Sequence, residues 1–319
     1  MAKLIILCGL PGSGKSQYAL NYKAVDDAIC KDFTVIHSSD AIREELFGDA
    51  GSQEDNGRVF ELMHKRVRED LKAGKTVIYD ATNVTRKARR GAINLATKAD
   101  TIECHIIWTD PIECRRRDSL RDRKVGSEVI EKMLRRWQSP FIDEGFDSIN
   151  IVLNQDDFDY VNYISSMTDN MHIPHDNPHH TLGVWEHCMQ AQSNIEQKMS
   201  EMMFNKHSHD YKLLTTAAKW HDIGKPWTKG YKANKDTGVV DYSHAHYYDH
   251  HCVGGYLSYG LFLKTRVTMT QTEINDICFI SWLICNHMEP FFNSHYYQDM
   301  YPHFKCYIDA IHEADVNAH

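Results

Sequence analysis

At 319 residues the chain exceeds the ~250 to 300 at which a single hydrophobic core stops growing, so two domains are expected. With 42% hydrophobic and 25% charged residues the composition excludes extended disorder, and a net charge of -8 means that any nucleic-acid partner must be met by a local basic patch. Nine scattered cysteines, never paired as C-x-x-C, exclude a zinc ribbon and suit reduced thiols. No apolar run reaches the ~18 residues of a membrane helix, and the opening MAKLIILCG is too short for a signal-peptide core, so a cytoplasmic protein with no membrane partner is expected.

Lys3 to Cys8 is an apolar run that ends on a glycine-rich turn, the pattern of a buried parallel strand feeding a helix. Further strand-like runs lie at Phe33 to His37, Thr76 to Tyr79, Glu103 to Trp108 and Ile149 to Asn154. Helical stretches alternate with them at Asp40 to Leu46, Asn56 to Ala73 and Ser127 to Trp137. That alternation predicts an α/β domain, a parallel sheet with flanking helices, over residues 1–158. Gln155 to Asn170 reads as polar and irregular, with the boundary near Asp159. Beyond it, a helical period dominates Val184 to Met202, Tyr211 to His221, Cys252 to Phe262 and Glu273 to Asn286, which predicts an all-α domain over 159–319.

Gly9, Leu10, Pro11, Gly12, Ser13, Gly14, Lys15 and Ser16 fit G-x-x-x-x-G-K-[ST] between a strand and a helix, the context a phosphate loop requires. Its N–H groups and the helix N-terminus would cradle phosphate, Lys15 would reach the β and γ phosphates of ATP, and Ser16 would hold magnesium (Mg2+). Asp40 and Arg43 follow the second strand at the edge where ligands bind in such sheets. There a carboxylate can take a hydroxyl proton and an arginine can hold an anion, although an N-cap aspartate beside a surface arginine is the plainer reading. Asp80, in YDATN, ends the third strand and suits a magnesium-water or acceptor contact. Arg115, Arg116, Arg117, Arg121 and Arg123 concentrate charge on a helix and the loop after it, with Arg117 and Arg121 spaced i, i+4, either as a phosphate-clamping lid or as a solvated basic face.

The set GLPGSGKS, SSDAIR, YDATN and RRRDSLRDRK resembles the 5′-hydroxyl polynucleotide kinase branch of P-loop kinases over residues 1 to about 155. The resemblance implies Lys15 and Ser16 on ATP and magnesium, Asp40 as general base on the 5′-OH, Arg43 on the acceptor's phosphate, Arg117 and Arg121 in the lid, and Asp80 as an organising residue. Asp118 departs from it, because the family often carries Asn there.

Of 20 histidines only His37, His64 and His105 precede residue 170, which points to a histidine-dependent task, first of all metal binding, in the second half. Trp220-His221-Asp222-Ile-Gly224-Lys225-Pro226 closes a helix with adjacent nitrogen and oxygen ligands. His187, His246, His250, His287 and Asp315 lie around it in sequence. Separate helices could converge such residues on a metal or metal pair.

The order H, HD, H, H, D resembles the HD phosphohydrolase superfamily from about His180 onward, with VWEH, HDIGKP, HYYDHHCVGG and ICNHMEP closest to the HD domain of some bacterial tRNA nucleotidyltransferases. It implies His187, His221, Asp222 and Asp315 as metal ligands, with His250, His287 and His246 on a second metal or the phosphate. Manganese (Mn2+), nickel (Ni2+), cobalt (Co2+), iron (Fe2+) or magnesium is then the expected ion. The sequence stops at His319, where related domains usually continue.

The pairing resembles bifunctional polynucleotide kinase-phosphatases. It implies an end-healing enzyme that phosphorylates 5′-OH ends of RNA, or of DNA, and removes 2′,3′-cyclic, 2′- or 3′-phosphate, with an RNA ligase as partner. A nucleotide or small-metabolite kinase fused to an HD nucleotidase competes with this reading. So does a nucleotide-switched regulator with a degenerate HD module, against which Asp40 and Arg43 argue.

Overall fold

The computed structural model describes residues 2–30, 33–177, 181–201, 205–234, 237–264 and 269–318. The chain divides into two compact units, one formed by Met1–Leu134 with Pro140–Asp156 and the other by Arg135–Ser139 with Asp157–His319.

In the first unit, β1 (Lys3–Cys8) leads through the phosphate loop to α1 (Lys15–Cys30), β2 (Thr34–Ser38), α2 (Ser39–Phe47), α3 (Asn56–Lys72) and β3 (Thr76–Asp80). Then follow α4 (Arg86–Ile93), β4 (Thr101–Trp108), α5 (Pro111–Ser119), α6 (Ser127–Leu134) and β5 (Ser148–Leu153). The strands form one parallel sheet in the order β2-β3-β1-β4-β5. Five of the six residues of β1 are buried because β1 is the central strand with both faces covered, which is why its sequence is a continuous apolar run. After β1 the chain crosses to β2 and β3 on one side and later to β4 and β5 on the other. The carboxyl end of β1 is therefore the switch point at which such sheets bind ligands.

The expected helix Ser127 to Trp137 stops at Leu134, and Trp137 belongs to the second unit, packed edge-on to Tyr256 with ring centres 4.9 Å apart. Polar Gln155 to Asn170, read as irregular, contains most of α7 (Tyr160–Met171). Asp159 caps that helix by accepting from the Asn162 N–H at 3.0 Å, and few of its residues are buried, which hid the helical period.

The second unit continues with α8 (Val184–Glu201), α9 (His209–Trp220), α10 (Lys225–Thr228), β6 (Gly230–Ala233), β7 (Val240–His246) and α11 (His250–Leu257). It ends with α12 (Gln271–Asn286), α13 (Glu289–Phe292), α14 (His295–Gln298) and α15 (Pro302–Val316). It is mainly helical but not all-α, because β6 and β7 pair as an antiparallel hairpin with a register shift between Tyr231 and Ala233. The short, mostly exposed strands and that irregularity leave no clean alternation to read. The expected helix Cys252 to Phe262 begins earlier, at His250, and becomes a 3-10 turn from Ser258 to Leu261. Met202, the expected end of α8, and His180 and His319, which bound the phosphohydrolase resemblance, lie outside the described residues.

Candidate active sites

The phosphate loop curls tightly because Gly12 and Gly14 take φ of 85° and 86°, conformations that L side chains resist. A Cβ on Gly12 would run into the Cys114 carbonyl, so backbone approach also demands glycine there. Gly9 N–H donates to the Thr82 carbonyl at 3.0 Å and Ser13 N–H to that of Leu10 at 3.1 Å, while Pro11 is buried in the turn. Lys15 is buried at the start of α1, with Nζ donating to the carbonyls of Gly9 at 3.0 Å and Leu10 at 2.8 Å. Burial lowers its pKa against the opposing pull of the Asp80 carboxylate. Ser16 Oγ donates to Asp80 Oδ2 at 2.8 Å, so the two residues that would share a magnesium ion already touch.

Asp40 lies in the first turn of α2, its side chain 56% exposed. Arg43 is buried, donating from Nη1 to Asp40 Oδ1 and from Nη2 to Asn56 Oδ1, both at 2.9 Å. Arg117 faces the loop, where a Cβ on Gly14 would lie 3.8 Å from its Nη1. Arg121 does not share a helical face with Arg117, because α5 ends at Ser119. The buried Asp118 carboxylate accepts the N–H groups of Val125 at 3.0 Å and Gly126 at 2.8 Å and turns the chain back. Arg121 still sits close enough to Lys15 for its charge to help lower the lysine's pKa.

Several supports escaped sequence reasoning. Glu113 accepts from Arg117 Nε at 2.7 Å, and Asn154 Nδ2 donates to the Ser13 carbonyl at 2.6 Å. Arg89 is fully buried and bidentate to Glu144 at 2.8 and 2.6 Å, its pKa raised because the Glu144 carboxylate outweighs burial. Its Nη1 also donates to the Asn83 carbonyl at 3.1 Å, behind β3. Glu113 and Arg117 stand at helical i, i+4 spacing, which the sequence did carry, whereas no local motif joins Asn154 to Ser13 or Arg89 to Glu144.

In the second unit His187 (α8), His221 and Asp222 (after α9) and Asp315 (α15) converge, and Asp222 is shared with a second group that adds His250 and His287. His187 Nε2 lies 2.8 Å from Asp315 Oδ1 and 3.6 Å from Asp222 Oδ2. His221 Nε2 lies 3.3 Å from each of the same carboxylates. His250 Nε2 is 3.2 Å from Asp222 Oδ1 and 3.2 Å from His287 Nε2.

The tautomers follow from the outer contacts. Nδ1 of His187 faces the Ala318 carbonyl at 2.8 Å, that of His221 faces Ala218 at 2.7 Å, that of His250 faces Tyr247 at 2.8 Å, and that of His287 faces Ile284 at 2.7 Å. A carbonyl only accepts, so each Nδ1 carries a proton, and in its neutral form each imidazole turns an Nε2 lone pair inward. Two such lone pairs 3.2 Å apart, with carboxylates beside them, repel unless positive charge lies between. Donors on a shared cation at about 2.0 to 2.2 Å stand about 3 Å apart, which the observed spacings match. The nitrogen and oxygen donor set therefore fits a divalent transition-metal ion.

Without an ion, the positive charge that the two carboxylates call for falls on Lys225 and on His221 itself. Burial works against ionised Asp222, but Lys225 and His221 outweigh it and hold its pKa well below the carboxylate range. For Asp315, His221 and His187 likewise overcome burial. His221 is raised because Asp222, Cys188 and Asp315 outweigh burial, whereas burial, with His221 and His250 nearby, pushes His287 far down. His246 is not brought into either group: it ends β7 and stacks on Tyr248 with ring centres 4.5 Å apart. Sequence reasoning missed Lys225, whose Nζ is 2.6 Å from Asp222 Oδ2, and His175, whose Nε2 is 3.1 Å from that Nζ. Lys225 stood in the HDIGKP motif, but nothing marked His175.

Among the described residues no helix is long and apolar enough to cross a membrane. Residues 4–140 match a family described as an AAA domain (AAA_33). Over 154 residues the chain is 30% identical to the L-seryl-tRNA(Sec) kinase of Methanococcus maripaludis, covering 47% of this chain and 58% of that protein's length. Among solved structures it is similar to a chain of the Pnkp1/Rnl/Hen1 complex, with 30% identity, a TM-score of 0.32, and coverage of 36% of this chain and 38% of that one. It is also similar to Chaetomium thermophilum Kti12 in complex with ADP-AlF3, with 19% identity, a TM-score of 0.36, and coverage of 48% and 90%. With its phosphate loop on a parallel sheet, the N-terminal unit has the P-loop kinase fold, which implies ATP and magnesium as its ligands.

Proposed function

We propose that the chain is a polynucleotide end-healing enzyme, with RNA the favoured substrate. The kinase unit phosphorylates 5′-OH ends and the second unit, an HD-type phosphohydrolase, removes 2′,3′-cyclic, 2′- or 3′-phosphate. The observation that carries the reading is the convergence of His187, His221, Asp222 and Asp315, each imidazole fixed through Nδ1, in a chain that also holds a complete phosphate loop. An RNA-borne acceptor also accords with the name of the curated relative, a kinase acting on seryl-tRNA.

In the kinase unit Asp40 takes the proton of the acceptor hydroxyl as its oxygen bonds to the terminal phosphorus of ATP and ADP departs. Lys15, Arg117 and Arg121 hold the charge that spreads over the transferring group, Ser16 and Asp80 would hold magnesium, and Arg43 holds an anionic group of the acceptor. In the second unit His187, His221, Asp222 and Asp315 would hold one divalent ion, and His250 and His287, with Asp222 between, a second. Such ions supply Lewis acidity toward water and the phosphoryl oxygens. Lys225, fixed against Asp222, sets a further positive charge beside the cluster. An RNA ligase would use the healed ends.

The test is incubation with labelled ATP and a 5′-OH oligonucleotide beside a nucleoside panel, together with an RNA ending in 2′,3′-cyclic phosphate. Label on the oligonucleotide and loss of the cyclic end are expected. Labelling of nucleosides alone would favour a small-molecule kinase fused to a nucleotidase.

A further inference from the structure

Arg123 stands apart from the other arginines of its run. Arg115 pairs with Glu131 at 2.5 Å, while Arg116 and Arg117 pair with Glu113 at 2.5 and 2.7 Å. Arg123, on the loop after α5, instead reaches 83 residues back in sequence, its Nη1 donating to Asp40 Oδ2 at 3.3 Å. The other oxygen, Oδ1, accepts from Arg43 at 2.9 Å. Each oxygen of one carboxylate thus faces a guanidinium from a different element.

The two guanidiniums are held differently. Arg43 is buried and fixed through Asn56, so the Oδ1 side is built into the fold. Arg123 is 42% exposed and lies against the Asp49–Gly51 turn, where a Cβ on Gly51 would be 3.2 Å from its Nε. Its loop is tied at the far end by Asp118, through Val125 and Gly126. An ion pair this exposed contributes little to stability, so its consequence is orientation.

We propose that Arg123 is a positioning residue of the acceptor site. It fixes the second oxygen of Asp40 only while the loop that also carries Arg121 is in place, so the base is set together with the nucleotide clamp. The inference rests on Asp40 being the acceptor's base. In the transfer the hydroxyl proton goes to the Asp40 carboxylate, the hydroxyl oxygen bonds to phosphorus, and the bond to ADP breaks; neither proton nor electron pair passes through Arg123.

The experiment uses the full chain, labelled ATP, and whichever acceptor among a 5′-OH oligonucleotide and a nucleoside panel the wild type phosphorylates best. Arg123→Ala should lower kcat on the order of tenfold with the KM for ATP unchanged, and Arg123→Lys should recover part of the loss. Because Arg123 acts through Asp40, Arg123→Ala placed on Asp40→Asn should cause no further loss. An equal loss in that background, or a rise in the KM for ATP that accounts for the effect, would overturn the proposal and make Arg123 a nucleotide ligand. Wild-type turnover in Asp40→Asn alone would instead remove the base reading, and the proposal with it.

Discussion

Asp222 touches His221, His250 and Lys225 at once, and removing it is the sharpest single-residue test of the histidine cluster. Asp222→Ala leaves mostly neutral imidazoles to hold a dication and should abolish both metal content by elemental analysis and hydrolysis of blocked RNA ends. It also leaves Lys225 buried without its partner, a cost of about 3 kcal/mol or more, so thermal unfolding should be followed beside activity. Asp315→Asn, at the more open edge of the cluster, should lose metal with less damage to the fold. Wild-type metal content in both variants would sink the assignment. In the kinase unit, Lys15→Ala should lower phosphate transfer by at least ~10³-fold, and Asp40→Asn by ~10² or more with ATP affinity retained. A matching loss of ATP binding in Asp40→Asn would make that residue structural.

Among the elements, the turn from β1 into α1 was the most legible, because a buried apolar strand, a glycine loop and a helix follow without a break. The hairpin β6–β7 was the least legible, being short, exposed and irregular. The sequence singles out Asp315 but not the helix α15 that carries it. Arg121 is expected on the helical face of Arg117 but lies beyond α5, since only the fold shows Asp118 bending the chain there. The glycines give a paired prediction. Gly12 and Gly74 both have positive φ, 85° and 77°, but a Cβ meets the Cys114 backbone at the first and nothing within 4 Å at the second. Gly74→Ala should cost about 1 to 2 kcal/mol in denaturant titration and keep kinase activity. Gly12→Ala should also lose nucleotide binding, and equal behaviour of the two would show that the loop tolerates opening.

A polar relay under the sheet gives a pH prediction. Tyr18 O–H donates to His105 Nδ1 at 2.8 Å, and His105 Nε2–H donates to Glu103 at 2.9 Å, while Lys3 pairs with the same carboxylate at 2.9 Å. The His105 hydrogen bond, joined by Lys3, pulls the Glu103 pKa down from 4.5 to about 2. A carboxylate depressed on folding stabilises the native state above its unfolded pKa, and that stability is lost as pH falls through the folded value. Between pH 4.5 and 2 the urea midpoint of Glu103→Gln should therefore fall less steeply than that of the wild type. Parallel slopes would mean that the relay is not ionised as drawn.

For the molecule as a whole, the proposed reading gives the two units separate donor sets, Ser16 and Asp80 to receive magnesium and the histidines with Asp222 and Asp315 to receive a transition metal. Lys15→Ala should spare hydrolysis of blocked ends and Asp222→Ala should spare the kinase, read on one RNA with both assays; loss of both activities in either variant would mean that the sites depend on each other. The histidines hold one more implication. Their imidazole protons are gripped by main-chain carbonyls, three of them from the residue three positions earlier, and no side-chain substitution deletes a carbonyl. Mutation of the surroundings therefore has little leverage on which nitrogen each imidazole offers. On the proposed metal reading the exchangeable donor is a carboxylate, so a search for altered metal preference should vary Asp315, the more open of the two acids, among ligating side chains and leave Asp222 and the imidazoles alone.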